Sequence, residues 1–314
     1  MMKLKVPVNS LNSANRQINA GAQEIYVAYS SGVFENFSFS GRGKDTYGKV
    51  RTEVEYSEFK ELVDLAHKEN VIVELAANSR YMMDNYDGSN ELQKEYIKYI
   101  EKGIEAGADR IIVADIGNLT LVKKYFPQIP IVSSVYLGAF NEYTIKMLEE
   151  LGVCRVVLDH CMTMNDIETL VKKSNVEIEV FGHLGCSFIH YTCGLHHSGV
   201  KSMCIGLPCL AKYQVCGKNE KIDILNTMEN CSICALPQLS KIGVSSIKIV
   251  GRELNLDFSV MLTNVYSTAL SLVAQNKSIK EIHQILNEEF DFEWWKNSYC
   301  QKNECKYRSP QFYI

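Results

Sequence analysis

The sequence predicts an α/β protein folded as a (β/α)8, TIM-like barrel, and three observations lead there. Eight short β-branched runs recur along the chain, each followed by apolar residues at helical spacing. The runs read as apolar stretches without polar alternation, the pattern of strands buried on both faces of a parallel sheet. At 314 residues the chain is long enough to close such a barrel as one unit. A doubly wound open sheet is the alternative, and the first strand speaks against it, because KVPVNSLNSA lacks a Gly-rich phosphate fingerprint.

The elements follow in order. The first run is LKVP, residues 4–7, then Asn12 to Gly21 with apolar Ala14, Ile18 and Ala20. EIYVAY (24–29) precedes a long loop to about Tyr56 and the amphipathic FKELVDLAHKEN. VIVELAAN (71–78) leads through a loop to ELQKEYIKYIEKGIEAGA, where Tyr96, Ile97, Tyr99, Ile100 and Ile104 recur at helical spacing. RIIVAD (110–115) runs into Leu119 to Phe126, IPIVSSV (129–135) into NEYTIKMLEELG, and RVVLDH (155–160) into MNDIETLVKKS. VEIEVFGH (176–183) opens into a cysteine-rich segment, and SIKIVG (246–251) completes the eight before a long helix from about Asp257 to Gln275.

This gives one barrel over residues 1–275, an insertion at 184–235 between the seventh and eighth strands, and a helical C-terminal extension over 276–314. The polar, aromatic tail FEWWKNSYCQKNECKYRSPQFYI is expected either to pack across the helical shell or to dock a second subunit, in a homo- or hetero-oligomer. Barrel chemistry sits at the C-terminal ends of strands. The candidate site residues are therefore Asn9, Tyr29, Asn78, Asp115, Ser134, His160, His183 and Arg252.

Apolar residues make up 46% of the chain and charged residues 22%, the balance of a globular protein with a sizeable core. A net charge of -4 supplies no global basic field for a phosphate backbone. A small-molecule substrate is preferred to RNA on that ground, with Lys201, Lys212, Lys218 and Lys221 the local face an RNA would use. No run of 18 apolar residues occurs, and MMKLKVPVNS has neither the apolar core nor the cleavage site of a secretory signal. The expectation is a cytoplasmic protein with no membrane partner.

Eleven cysteines are many for a compartment that keeps thiols reduced. Cys186, Cys193, Cys204, Cys209, Cys216, Cys231 and Cys234 crowd the insertion, so metal ligation or catalysis outranks disulfide formation. Only Cys231 and Cys234 have the C-x2-C spacing of a zinc ribbon. The other gaps are irregular and suit a 4Fe-4S cluster better, because a cubane offers four separate irons to its ligands. Zinc is the alternative cofactor, and unligated buried thiols the plain one. Cys154, Cys161, Cys300 and Cys305 read as ordinary core or surface thiols.

The same segment carries a resemblance. EVFGHLGCSFIHYTC is similar to the signature of peptidase family U-32, the collagenase-like peptidases, in which a glutamate, an aromatic residue and a glycine precede two cysteines spaced C-x6-C. AGAQEIYVAY, RIIVAD, RVVLDH and LPQLSKIGVSSIKIVGRE resemble further segments of that family, so the likeness covers roughly residues 3–265. It implies a barrel bearing a 4Fe-4S cluster and, despite the peptidase label, oxygen-independent hydroxylation of a quinone-precursor ring or of RNA bases. Prephenate serves some members as hydroxyl donor. Carried over residue by residue, Cys186 and Cys193 match the first two cluster ligands, Cys204 the third with Cys209 as its rival, and Cys231 the fourth with Cys216 and Cys234 as rivals.

Two further residues are expected to act on the substrate. His183 ends the seventh strand three residues before Cys186, where it can bond a cluster sulfur or the substrate. Arg252 follows the last strand, where barrels bind anions, and its planar fork suits a carboxylate or phosphate; Lys248 lies beside it in sequence. His190, His196 and His197 are candidate proton donors or ligands. After the sixth strand the family carries an arginine where this chain has His160, a poorer fixed cation at neutral pH, which weakens the case for a dicarboxylate at that position. The peptidase reading itself lacks H-E-x-x-H and G-x-S-x-G. The leading expectation is an iron–sulfur enzyme of the redox or hydroxyl-transfer type, with a noncatalytic iron–sulfur accessory subunit as the alternative.

Overall fold

The structure is a computed structural model, and it describes residues 2–31, 53–79, 90–183, 213–214, 221–222, 230–252, 254–302 and 304–307. Eight parallel strands form its centre: β1 (Lys3–Pro7), β2 (Glu24–Tyr29), β3 (Ile72–Ala76), β4 (Arg110–Val113), β5 (Ile131–Ser133), β6 (Val153–Val157), β7 (Glu177–His183) and β8 (Ser246–Ile249). Each pairs with its sequence neighbours, and β1 pairs with both β2 and β8, so the sheet closes on itself. The predicted (β/α)8 barrel is thus observed. A two-residue strand, Glu53–Val54, adds to the C-terminal end of β2. Within the insertion, Tyr213–Gln214 and Lys221–Ile222 pair antiparallel.

Helices cover the outside: α1 (Leu11–Asn19), α2 (Tyr56–Lys68), α3 (Glu91–Glu105), α4 (Ile116–Tyr125), α5 (Glu142–Glu150), α6 (Met164–Lys173), α7 (Leu236–Ile242) and α8 (Leu256–Ala274). Their starts are written in the sequence. Ser10 and Thr163 close capping boxes with Ser13 and Asp166, and the Asp115 side chain accepts from Asn118 N–H at the start of α4. Pro237 sits in the first turn of α7, and Gly243 ends that helix at φ +93°, a left-handed conformation that glycine adopts without strain. α8 is long and apolar enough to cross a membrane by length and composition, but it packs against α1, α7 and β1 as the eighth helix of the shell. Beyond it α9 (Ile279–Glu289) and a short turn, Phe292–Trp295, fold back onto the barrel.

One strand expectation needs correcting. Between strands and helices the core is apolar, with Ile25, Val27, Val73, Leu75, Ile111 and Ile247 among its buried members. Inside the ring, however, the alternation of side chains puts charge. Lys5, Glu24, Glu74, Arg155 and Glu179 are all buried, contributed by β1, β2, β3, β6 and β7. Above them, toward the C-terminal ends, Tyr26, Ile112, Val132, Val157 and Phe181 form a separate apolar layer across the ring. The strands do alternate, with charged and apolar residues inside opposite apolar residues outside; each run is too short and too rich in β-branched residues for the charges to stand out.

Candidate functional site

The charged layer forms the floor of the site. Arg155 spans it, with Nη2 bonded to Glu24 Oε1 at 2.8 Å, Nε to Glu177 Oε2 at 2.6 Å, and Nη1 lying 3.2 Å from Glu74 Oε1 and 3.3 Å from Glu179 Oε2. Lys5 pairs with both Glu74 and Glu179, and Ser246 Oγ donates to Glu24 at 2.9 Å. Burial works against every one of these charges, and the partners decide the outcome. For Glu24, burial is outweighed by the hydrogen bond and charge of Arg155, which hold its carboxyl down at about 2. For Lys5, burial is outweighed by the attraction of Glu179 and Glu74, which raises it. Burial prevails at Glu74 and raises it. Glu24, Glu74 and Glu179 converge closely enough to hold a metal ion, but Lys5 and Arg155 already supply the positive charge between them.

Above the floor lies the mouth. The Tyr26 hydroxyl donates to the Ile249 carbonyl at 3.3 Å, which fixes its ring. Two cations lie over that ring, Lys248 Nζ at 4.2 Å and the Arg252 guanidinium carbon at 5.7 Å from its centre. Arg252 is 7% exposed and its Nη1 has no hydrogen-bond partner among the described residues. The nearest carboxylate to Lys248 is Glu179, whose Oε1 stands 3.9 Å away and is itself without a hydrogen bond. Burial, together with the charges of Lys5 and Arg252, depresses Lys248 to about 8 against the pull of Glu179 and Glu74. Across the ring His160 stacks on Phe181, the rings 3.6 Å apart at 15°. Asn9 donates to the Arg252 carbonyl at 2.8 Å, tying the ends of β1 and β8.

A second cluster sits where the insertion leaves the barrel and returns. Tyr266, on α8, has one hydroxyl proton, and its shortest contact is to the Gly182 carbonyl at 2.7 Å. The hydroxyl therefore donates to Gly182 and accepts from Ser232 N–H at 3.0 Å. His183 Nδ1 lies 3.3 Å from the same oxygen, so it carries the imidazole proton and Nε2 is left as a buried acceptor without a partner among the described residues. Burial, with Lys306 adding repulsion, pushes His183 down to about 3. At this position the neutral ring offers an acceptor and no proton. Gly182 is obligatory here, since a Cβ would come within 2.7 Å of Ile247 and 3.3 Å of the Tyr266 ring.

The tail completes this corner. Trp295 and Tyr299 pack on His183 with ring centres 5.0 and 4.8 Å away. Trp295 Nε1–H donates to Cys231 Sγ at 3.2 Å. Cys231 bridges Cys305 through the backbone, its N–H donating to the Glu304 carbonyl and its carbonyl accepting from Lys306 N–H. The Tyr307 hydroxyl contacts the Phe181 carbonyl on β7. Burial pushes the Cys231 thiol up to about 12. Cys234, by contrast, is exposed and lies 3.4 Å from His283 on α9. At Cys231 burial prevails over the downward pull of the Trp295 N–H, so a thiolate there would need the charge of a bound metal, and the indole N–H is the donor that would then support its sulfur. Cys186, Cys193, Cys204, Cys209 and Cys216, with His190, His196 and His197, lie outside the described residues.

The eight strand-end candidates divide. Asn9 and Arg252 meet at the mouth, His160 stacks on Phe181 across the ring, and His183 belongs to the tail corner. Asn78, two residues past the end of β3, is buried with Oδ1 unpartnered among the described residues. Tyr29 turns outward to stack on Tyr99 at 4.4 Å; Asp115 and Ser134 are spent as helix caps. Sequence reading missed Tyr26, Tyr266, Trp295, Cys305 and the whole charged floor. The floor had a signal in the period-two charges of EIEVF and KLKVP. Tyr266 and Trp295, in helical and tail contexts, had none.

The closed parallel ring of eight strands inside a shell of helices places the chain in the class of (β/α)8 barrel proteins. Within that class the chain has a definite place. Residues 9–308 match the model of peptidase family U32, and the chain belongs to that family. It is 33% identical over 104 residues to the tRNA hydroxylation protein P of Escherichia coli (strain K12), covering 33% of this chain and 23% of that protein. The counterpart from Haemophilus influenzae is 26% identical over 184 residues, covering 58% and 35%. The chain thus spans well under two thirds of the length of these two relatives. The tRNA hydroxylation protein P2 of Bacillus subtilis (strain 168) is 24% identical over 252 residues, covering 75% of this chain and 79% of that protein. Among solved structures the U32 peptidase Mk0906 superposes with a TM-score of 0.50 at 12% identity, over 80% of this chain and 93% of its own, which shows a shared fold.

Proposed function

We propose that this chain hydroxylates a base in RNA without molecular oxygen, with a 4Fe-4S cluster held by Cys186, Cys193, Cys204 and Cys231 at the rim of the barrel. The reading is supported by family membership and by the tRNA hydroxylation named for several relatives, which favours an RNA base over the small molecule preferred on net charge. The observation that carries it is the position of Cys231: the end of β7 and the return of the insertion are tied together by Tyr266, so this sulfur is buried beside the exit that leads to Cys186. Of the three candidates for fourth ligand, Cys231 is favoured over Cys234, whose thiol faces solvent beside His283.

When bound, such a cluster would supply one-electron chemistry at the mouth. The chain's own residues do the rest. Tyr266 fixes the tautomer of His183, leaving an acceptor nitrogen in a buried corner, and Trp295 supports the sulfur of Cys231. Arg252, with a buried and unpartnered Nη1, is the clamp for an anionic donor, and a carboxylate of prephenate is a fitting occupant. Zinc in place of the cluster is the rival, and it predicts a colourless protein.

The test has two parts. Anaerobically purified protein should carry about four irons and matching sulfide per chain with visible absorption; stoichiometric zinc would remove the cluster. Mass spectrometry of tRNA nucleosides from cells with and without the gene should show a hydroxylated nucleoside that disappears on deletion and returns with the wild-type gene but not with Cys231→Ser. Identical nucleoside profiles would end the RNA reading.

A further inference from the structure

Three polar groups between the floor and the mouth are without hydrogen bonds among the described residues. They are Arg252 Nη1, Glu179 Oε1 and the ammonium of Lys248, whose shortest polar approach is the 3.9 Å to Glu179. Buried groups of this kind are normally satisfied, so each one points to something that completes it. Lys248 is placed differently from the other two lysine and arginine partners of the floor. Lys5 is locked between two carboxylates and Arg155 among four, whereas Lys248 has the floor below it, Tyr26 beside it and 12% of its side chain open to the mouth.

We propose that Lys248 is the proton-exchanging residue of the mouth, acting on an anionic ligand whose carboxylate or phosphate is held by Arg252, with Glu179 as the positioning residue that links it to the charged floor. In the forward sense the neutral amine takes a proton from the ligand: an N–H bond forms, the ligand's own bond to hydrogen breaks, and the electron pair of that bond stays on the ligand. The new ammonium faces Glu179, and solvent at the mouth removes the proton afterwards. No oxidant or reductant takes part.

The groups facing Lys248 come from every side of the ring. Lys5 lies on β1, Tyr26 on β2, Glu74 on β3, Glu179 on β7 and Arg252 just beyond β8; Arg155 on β6 reaches the same carboxylates from below. Lys5 and Arg252 repel its charge and Glu179 and Glu74 attract it, while burial disfavours it, and the balance sets the residue near 8. An amine so placed changes charge close to neutral pH, as an acid–base residue requires. Lys5, raised by its two carboxylates, does not.

The proposal rests on the mouth being a substrate site, and one experiment separates the two. The full chain is pulsed with acetic anhydride across pH 6 to 11 and acetylation of the Lys248 peptide is followed by mass spectrometry, without additions and with malonate or inorganic phosphate. Half-maximal reactivity near pH 8, moved down by about one pH unit in Glu179→Gln and up by a similar amount in Arg252→Gln, is the expected result. A midpoint above pH 10 in the wild type overturns the assignment of Lys248, whatever the variants do. A midpoint near 8 that neither anion shifts or protects leaves the amine in place and overturns the anion site at Arg252. Protection by either anion that is lost in Arg252→Gln supports both.

Discussion

Trp295, from the C-terminal tail, donates its indole N–H to the sulfur of Cys231, on the return of the insertion, at 3.2 Å. The contact joins two segments 64 residues apart in sequence and singles out one of two neighbouring thiols. Cys231→Ser is therefore expected to lower iron from about four per chain to less than half of that in anaerobic preparations, and Cys234→Ser to leave it unchanged. Trp295→Phe should retain the metal but lower its reduction potential, because the hydrogen bond that stabilises the more reduced, more negative state is gone. Equal iron loss in both cysteine variants would contradict the assignment.

Arg155 is the keystone of the barrel floor, touching Glu24, Glu74, Glu177 and Glu179. Removing one side of a buried pair leaves the other charge uncompensated, which costs on the order of 3–5 kcal/mol. Arg155→Met should lose that much in urea unfolding, and Arg155→Met with Glu24→Gln should lose less than the two single changes together. Strict additivity would mean that the two side chains do not act as a unit.

Glu24 makes the acid limb of stability predictable. Its carboxyl is held at about 2, below the ordinary 4.5, so the unfolded chain binds the proton first. The stabilisation is present in full above about pH 4.5 and is lost as pH falls toward 2. In Glu24→Gln the wild type's steep decline over that window should flatten, while stability at neutral pH is lower. Calorimetric unfolding at a series of pH values reads both; parallel curves for the two proteins would refute the coupling.

Tyr266 serves Gly182, Ser232 and His183 with one hydroxyl. Tyr266→Phe keeps the ring packing and strips the buried carbonyl and N–H of their partner, at a cost of about 1–3 kcal/mol. Beyond that loss, hydrogen exchange at Ser232 N–H should accelerate markedly, a local signature that general destabilisation would spread over the barrel.

Much of the architecture was legible in the sequence. All eight strands lie within a few residues of the predicted runs, because β-branched clusters bounded by caps and glycines leave little choice of element. The charged floor was not, although EIEVF and KLKVP spell it: a strand of five residues has only two or three inward positions, so a lysine or glutamate among them looks like noise until the ring closes and sets it against opposite charge. Arg252 was legible because a cation after the last strand has a known use in barrels. Cys305 was passed over because a parallel bridge between residues 74 positions apart is a property of the folded chain alone.

The bridge between Cys231 and Cys305 also orders events in time. Synthesis runs from the N-terminus, so the ring of strands, the insertion and α8 are all made before Glu304, Cys305, Lys306 and Tyr307 exist. The wall behind Cys231 is consequently completed only once residue 307 has been made. Until then the Cys231 sulfur lacks the indole and backbone cover that set it apart from Cys234, so its seclusion from solvent is a property of the finished fold and not of the emerging barrel.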